Sequence, residues 1–167
     1  MERTSRIRVR RALLADASVI AGYNLLMARE TEGKILDPRT ARLGVEGVFE
    51  EPSRGFYLVA EQHGSLVGQC MVTFEWSDWR NGTFWWVQSV YVKEEYRSRG
   101  IFGRLFRELV REAGERKDVC GIRLYVQEDN TRAREVYRNL GMEETGYSIY
   151  EVDFTCPREP EANNYIQ

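Results

Sequence analysis

Histidine is almost missing from this chain: among 167 residues only His63 occurs, inside Gln62-His63-Gly64-Ser65, which reads as a turn. A histidine general base and a histidine-rich metal site are therefore not expected. Cysteine is scarce as well. Cys70, Cys120 and Cys156 are odd in number and lack CxxC or Cys/His spacing, which argues against a disulfide framework and against a zinc site. No apolar run approaches the roughly 20 residues of a membrane-spanning helix. Met1 to Arg11 is polar and arginine-rich without the apolar centre of a secretory signal, so a cytoplasmic protein with no membrane partner is expected. Excess positive charge is also lacking. A formal net charge of −2 supplies no overall field for nucleic acid, although arginines cluster between Arg97 and Arg111 and between Arg132 and Arg138.

What remains is an ordinary globular composition, 43% hydrophobic and 30% charged, in a length that suits one domain over residues 1–167. The expected core is residues 6–155, with a polar tail over 157–167. Ile7 to Arg10 alternates as a short strand. Asp16 offers an N-cap to a helix whose apolar face carries Val19, Ile20, Tyr23, Leu26 and Met27. Asp37-Pro38 reads as an N-cap followed by proline at the first helical position. Phe56–Glu61 and Leu66–Glu75, separated by the His63 turn, form an antiparallel hairpin. Phe84–Val92 reads as a third strand in succession, with Trp86, Gln88, Val90 and Val92 on one face and Trp85, Val87, Ser89 and Tyr91 on the other. From Gly100 the period becomes helical through Ile101, Leu105, Leu109 and Ala113. Ile122–Val126 reads as a strand, a last helix ends at Gly141, and Tyr147–Phe154 reads as a further strand. Strands joined through the helix after Gly100 should run parallel by the crossover rule. The fold class is α+β, a mixed and mostly antiparallel sheet with about four flanking helices.

The chemistry concentrates where Val90-Tyr91-Val92 leaves a strand and passes through Lys93-Glu94-Glu95-Tyr96 into Arg97-Ser98-Arg99-Gly100-Ile101-Phe102-Gly103-Arg104. The first turn of a helix has N–H groups without intrahelical acceptors and a positive dipole end, so such a junction binds anions. Gly100 and Gly103 would admit a diphosphate close to the backbone, and Arg97, Arg99 and Arg104 would add charge. The alternative is a plain helix start with a solvated arginine face. The loop lacks the ending of a nucleotide P-loop and the spacing of a dinucleotide fingerprint.

At these residues the sequence resembles the GNAT superfamily of N-acetyltransferases. The family's acetyl-CoA loop reads Gln/Arg-x-x-Gly-x-Gly/Ala, and Arg97-Ser98-Arg99-Gly100-Ile101-Phe102 occupies it. A second block, Asn130-x-x-Ala133-x-x-x-Tyr137-x-x-Leu140-Gly141-Met142, is similar to the family's later motif. The resemblance runs from Ile7 to Phe154 and implies a three-layer fold whose six- to seven-stranded sheet splays between its fourth and fifth strands. Phe102 departs from the pattern: it must turn into the core or crowd the diphosphate.

The resemblance implies acetyl-CoA as cosubstrate, without a metal, for direct transfer to an amine in a ternary complex. The implied cofactor set is Val90, Tyr91, Val92, Arg97, Ser98, Arg99, Gly100, Ile101, Phe102, Gly103 and Arg104, joined by Asn130 and Tyr137. Backbone groups of Val90 and Val92 would hold the pantetheine and polarise the thioester. Tyr137 would protonate the departing thiolate, or is an ordinary core tyrosine; Asn130 would contact the cofactor, cap a helix, or both. Trp86 stands where some family members carry a strand glutamate, so the base is sought in Glu75 or Asp78, or in Glu30 or Glu32 through water. Glu30, Glu32, Asp37, Glu75 and Asp78 would favour a small cationic amine as acceptor, with Trp76, Trp79, Trp85 and Trp86 as an aromatic wall or as core. A homodimer is common in the family. The competing readings are a peptide N-acetyltransferase and a non-catalytic acyl-CoA-binding module.

Overall fold

The computed structural model describes residues 6–155, which group into two compact units, one running to Asn130 and the other starting at Thr131. The first unit contains β1 (Arg8–Arg11), α1 (Ala17–Glu32), α2 (Pro38–Glu50), β2 (Phe56–Gln62), β3 (Ser65–Ser77), β4 (Gly82–Val92), α3 (Ile101–Gly114) and β5 (Val119–Leu124). Its sheet has the order β1-β2-β3-β4-β5. Neighbours are antiparallel from β1 to β4, and β5 joins β4 in parallel after α3, as the crossover rule requires.

Local chemistry explains these boundaries. Pro38 opens α2 and the Asp37 carboxylate accepts from the Thr40 N–H at 2.7 Å, so the expected cap forms. Asp16 behaves differently. It precedes α1 without capping it, and its carboxylate accepts instead from Leu13 N–H at 2.8 Å and from Arg10 Nη1 at 2.7 Å. The β2–β3 turn consists of His63 and Gly64, both at positive φ, which matches the twist of a two-residue hairpin.

Helices cover both faces of the sheet. On one side α1 and α2 bury Ile20, Tyr23, Val45, Val48, Tyr57, Val59, Leu66 and Tyr91; on the other, α3 buries Leu105 and Leu109 against Leu58, Val67, Val72, Trp85 and Val87. Each face thus removes its own apolar stripe from water.

Four further expectations are corrected. The sheet has five strands among the described residues, rather than six or seven. Tyr147–Phe154, in the second unit with α4 (Thr131–Asn139), is not a strand: Tyr147, Tyr150 and Phe154 are exposed, and Asp153 accepts from Thr155 N–H in a local turn. A strand exists only with a partner for its ladder, and β-rich composition does not supply one. β5 starts at Val119 and stops at Leu124, since its length is set by the stretch of β4 that it pairs, Thr83 to Val87.

The fourth correction lies in β4. Gln69 pairs with Tyr91 but Met71 pairs with Gln88, so Ser89 and Val90 together oppose Cys70. Ser89 takes φ 48°, the conformation of a bulge. Beyond it the faces exchange: Val90 and Val92 pack with Trp85 and Val87 on the α3 side, whereas Tyr91 joins the α1 side.

Candidate cofactor and acceptor site

Two features open the sheet at one place. The β4–β5 register ends at Val87–Leu124, and two residues later the Ser89 bulge turns the β4 backbone. The expected splay between the fourth and fifth strands is therefore present, and Val90, Tyr91 and Val92 border it. The chain next forms a short helical turn over Glu94–Tyr96, takes Ser98 and Gly100 through positive φ, and enters α3. Gly100 stands at the N-cap with φ 71° and has no side chain to cap the helix, while Arg104 N–H makes the first bond back to Gly100 O at 3.1 Å. The first turn of α3 thus precedes the helical ladder and, with the helix dipole, is the kind of helix start that attracts an anion.

Close packing fixes that helix start to the sheet. Ile101 is 2% exposed, and Gly68 on β3 lies so near that a Cβ there would stand 2.8 Å from Ile101 Cγ2 and 3.3 Å from Tyr91 O. Phe102 turns inward, packing against the α3-side core with its ring 5.9 Å from that of Phe106. Of the two fates open to Phe102, the core is the one realised.

The arginines of the loop divide into two kinds. Arg97 is tied down: Nε donates to Val92 O at 2.9 Å, Nη2 donates to Glu30 Oε2 at 2.6 Å, and its guanidinium lies 5.5 Å over the Tyr91 ring. It braces the loop against β4 and α1. Arg99 lies over the Tyr96 ring at 5.3 Å, and Arg104 is exposed on the first turn of α3; these two stand where an anion at the helix start would meet positive charge.

Glu30 is likewise engaged, since Tyr91 Oη donates to its Oε1 at 3.4 Å. Burial holds the Tyr91 phenol above its usual pKa, with the Glu30 charge adding to it and Arg97 opposing. Glu32, the last residue of α1, is exposed and pairs with Lys34. Trp86 stacks on Tyr125 with ring centroids 4.4 Å apart and donates Nε1 to Glu75 Oε2 at 2.7 Å, while Glu75 Oε1 accepts from Arg123 at 3.0 Å. Trp76 and Trp79 are exposed at the β3–β4 hairpin, and Asp78 caps its turn by accepting from Trp79 N–H at 2.9 Å. Glu75 lies opposite Phe84, five residues and so about 17 Å of strand from Ser89. The structure brings Glu30, Tyr91 and Arg97 together at the loop, but does not bring Glu75 or Asp78 to the splay.

Asn130 closes the first unit, its N–H donating to Gln127 O at 3.0 Å just before α4. Tyr137 sits on α4 in the second unit, half-buried, and burial raises its phenol pKa still further above neutrality. Gly141 takes φ 84° and ends this helix, with Met142 N–H donating to Tyr137 O at 3.0 Å.

The polar contacts at the bulge escaped the sequence reasoning. Gln69 on β3 is completely buried, and its Nε2 donates to Asn24 Oδ1 on α1 at 2.8 Å and to Ser89 O at 3.4 Å. The available signal was a lone amide within the apolar run Leu66 to Val72. Gln88, immediately before the bulge, donates to Thr73 Oγ1 at 2.6 Å. Among the described residues no group of His, Cys, Asp and Glu is arranged to hold a metal ion, and no helix is long and apolar enough to cross a membrane.

Residues 21–142 match the model of the acetyltransferase (GNAT) family, so the chain belongs to that family of acyltransferases. It is similar to a possible acetyltransferase from Clostridium difficile 630, with 41% identity and a TM-score of 0.82 over 88% of this chain and 97% of that one. It is 33% identical over 112 residues to the thialysine N-epsilon-acetyltransferase of Bos taurus. That match covers 61% of this chain and 63% of the bovine protein, a little under two thirds of its length. A predicted acetyltransferase from Clostridium acetobutylicum, solved with acetyl-CoA, shares the fold at a TM-score of 0.72 and 18% identity, covering 90% of this chain and 97% of that one.

Proposed function

We propose that this protein is an acetyl-CoA-dependent N-acetyltransferase that acetylates the primary amine of a small cationic molecule. The observation that carries the reading is the single opening framed by the β4 bulge, the end of β4–β5 pairing and the uncapped N-terminus of α3. An extended thioester with a diphosphate fits that frame. The first-turn N–H groups at Gly100, with Arg99 and Arg104, would hold the diphosphate. Backbone groups of Val90 and Val92 would hold the pantetheine arm and polarise the carbonyl. The bound cosubstrate supplies the activated acetyl group.

Holding amine and thioester together turns a bimolecular reaction into an oriented one. The amine first loses its ammonium proton to free the lone pair; its nitrogen then forms the bond to the acetyl carbon as the carbon–sulfur bond breaks, and gives up a second proton as the amide forms. The proton for the departing thiolate is the part that the family resemblance assigns to Tyr137, whose phenol pKa burial raises still further above neutrality. Glu30 draws a cationic amine toward β4, although its charge is partly spent on Arg97. Glu75 acts at the outer rim, where the Trp86–Tyr125 stack offers a face to a cation. The removal of both amine protons falls to solvent in the open splay.

The bovine relative makes thialysine the first acceptor to try. Calorimetric titration should give one-to-one acetyl-CoA binding at micromolar Kd, followed by thiol release with thialysine. Tyr137→Phe should lower kcat about 10²-fold with binding retained. Absence of acetyl-CoA binding would withdraw the acetyltransferase reading, and binding without turnover on any amine would leave an acyl-CoA-binding module. Preference for peptide N-termini would move the assignment to protein acetylation.

A further inference from the structure

Gln69 is hard to explain by stability. It is 0% exposed in the middle of β3, and its Oε1 has no hydrogen-bond partner, so it bears the desolvation cost of an amide with half of that amide unanswered. An apolar residue of similar volume would avoid that cost. The other half of the amide is fully used: both Nε2 hydrogens are committed, one to Asn24 Oδ1 and one to Ser89 O. The contact with the Ser89 carbonyl sets which end of the amide is the donor, since a flipped amide would bring two oxygens together.

Ser89 is the bulge residue, at positive φ with a side chain, a conformation that needs support from its surroundings. Its carbonyl belongs to the peptide plane that carries the Val90 N–H. That plane is trans, as are all the described peptide bonds, so the two groups point in opposite directions. A Ser89 carbonyl drawn toward Gln69 on β3 therefore directs the Val90 N–H away from β3, to the side on which β5 pairing has ended at Val87–Leu124.

We propose that Gln69 is the positioning residue of the transferase site: through the Ser89 carbonyl it locks the 89–90 peptide so that the Val90 N–H faces the splay as the donor to the thioester carbonyl oxygen. This rests on the functional reading above. Asn24 completes the device, as its Oδ1 takes the second Nε2 hydrogen and aligns the amide. The chemistry gains because a donor fixed in advance needs no reorganisation when charge develops on that oxygen. The energetic deficit at Oε1 is then the consequence of choosing an amide for its donor.

The test is Gln69→Met, which keeps volume and removes both polar atoms. Thermal stability should stay equal to wild type or rise, the acetyl-CoA Kd should stay within about threefold, and kcat with thialysine should fall about tenfold or more, since removing an oxyanion donor outright costs ~10²–10³. A purely structural glutamine would give the reverse pattern, lower stability with kcat intact, and that result overturns the proposal. Wild-type protein that fails to bind acetyl-CoA brings down the functional reading instead, and this assignment with it. A second measurement needs no variant or acceptor: in the wild-type amide spectrum, the Val90 proton should shift downfield on adding acetyl-CoA, and by clearly less with CoA lacking the acetyl group. Equal shifts with the two ligands would sink the idea even if the methionine variant failed to fold.

Discussion

Replacing Gly68 by alanine should damage cofactor binding from a position that never touches the cofactor. The added Cβ would lie 2.8 Å from Ile101 Cγ2, 3.3 Å from Tyr91 O and 3.5 Å from Val92 Cγ2. Ordinary carbon–carbon contacts are about 3.5–4.0 Å, so the first contact is short by roughly 0.7–1.2 Å. Ile101 cannot swing out, being buried beside Leu105 in the α3-side core, and a β3 carbon paired to Val92 cannot retreat without breaking the ladder. The strain is relieved by pushing the first turn of α3 outward. Overpacking of this kind costs about 1–3 kcal/mol, which for a domain of this size lowers Tm by roughly 3–10 °C. The displaced turn carries the N–H groups after Gly100, and misplaced donors should weaken acetyl-CoA about tenfold, or ~1.4 kcal/mol. Calorimetry and thermal unfolding read the two effects. A useful control is Gly22→Ala in α1, where a Cβ meets nothing within 4 Å; it should stabilise by about 0.5–1 kcal/mol and leave binding alone. Pairing Gly68→Ala with Ile101→Ala should be non-additive, because the second change removes the clashing methyl. If Gly68→Ala melts and binds acetyl-CoA like wild type, the close approach of β3 to α3 does not set the loop.

Two further outcomes follow from charged contacts. Arg97→Ala should weaken acetyl-CoA several-fold, and Arg97→Lys should do no better, because lysine keeps the charge but cannot bridge Val92 O and Glu30 together; affinity restored by lysine would assign Arg97 to the diphosphate instead. Asp16 has its carboxyl pKa lowered, first by the hydrogen bond from Arg10 and then by the Leu13 N–H, against the opposing effect of burial. A depressed folded pKa means stability present above the unfolded value of about 4 and lost as pH falls below it. Asp16→Asn should therefore be about 1–2 kcal/mol less stable than wild type at pH 7, with the gap closing below about pH 4 in denaturant titrations; a gap independent of pH would refute the ion pair as its source.

The residue order by itself determined the layered α+β plan, the α2 cap at Asp37-Pro38, the His63-Gly64 hairpin and the loop that enters a helix at Gly100. These are local or periodic signals, carried by a few neighbouring residues. The same reading misassigned the faces of β4 beyond Ser89, because strict alternation assumes that each residue has one partner, and only pairing with β3 reveals two residues opposite Cys70. It offered Arg97 to the diphosphate and Glu30 to the acceptor as separate charges, whereas folding joins them across 67 positions. Tyr147–Phe154 had strand composition and found no ladder partner among the described residues. Gln69, Asn24 and Ser89 meet from β3, α1 and β4, with no spacing that would single them out. Tertiary structure decided what depends on contacts distant in sequence: bulge register, the end of β5 pairing and the approach of Gly68 to Ile101. Those contacts, rather than the motif alone, give the candidate site its shape.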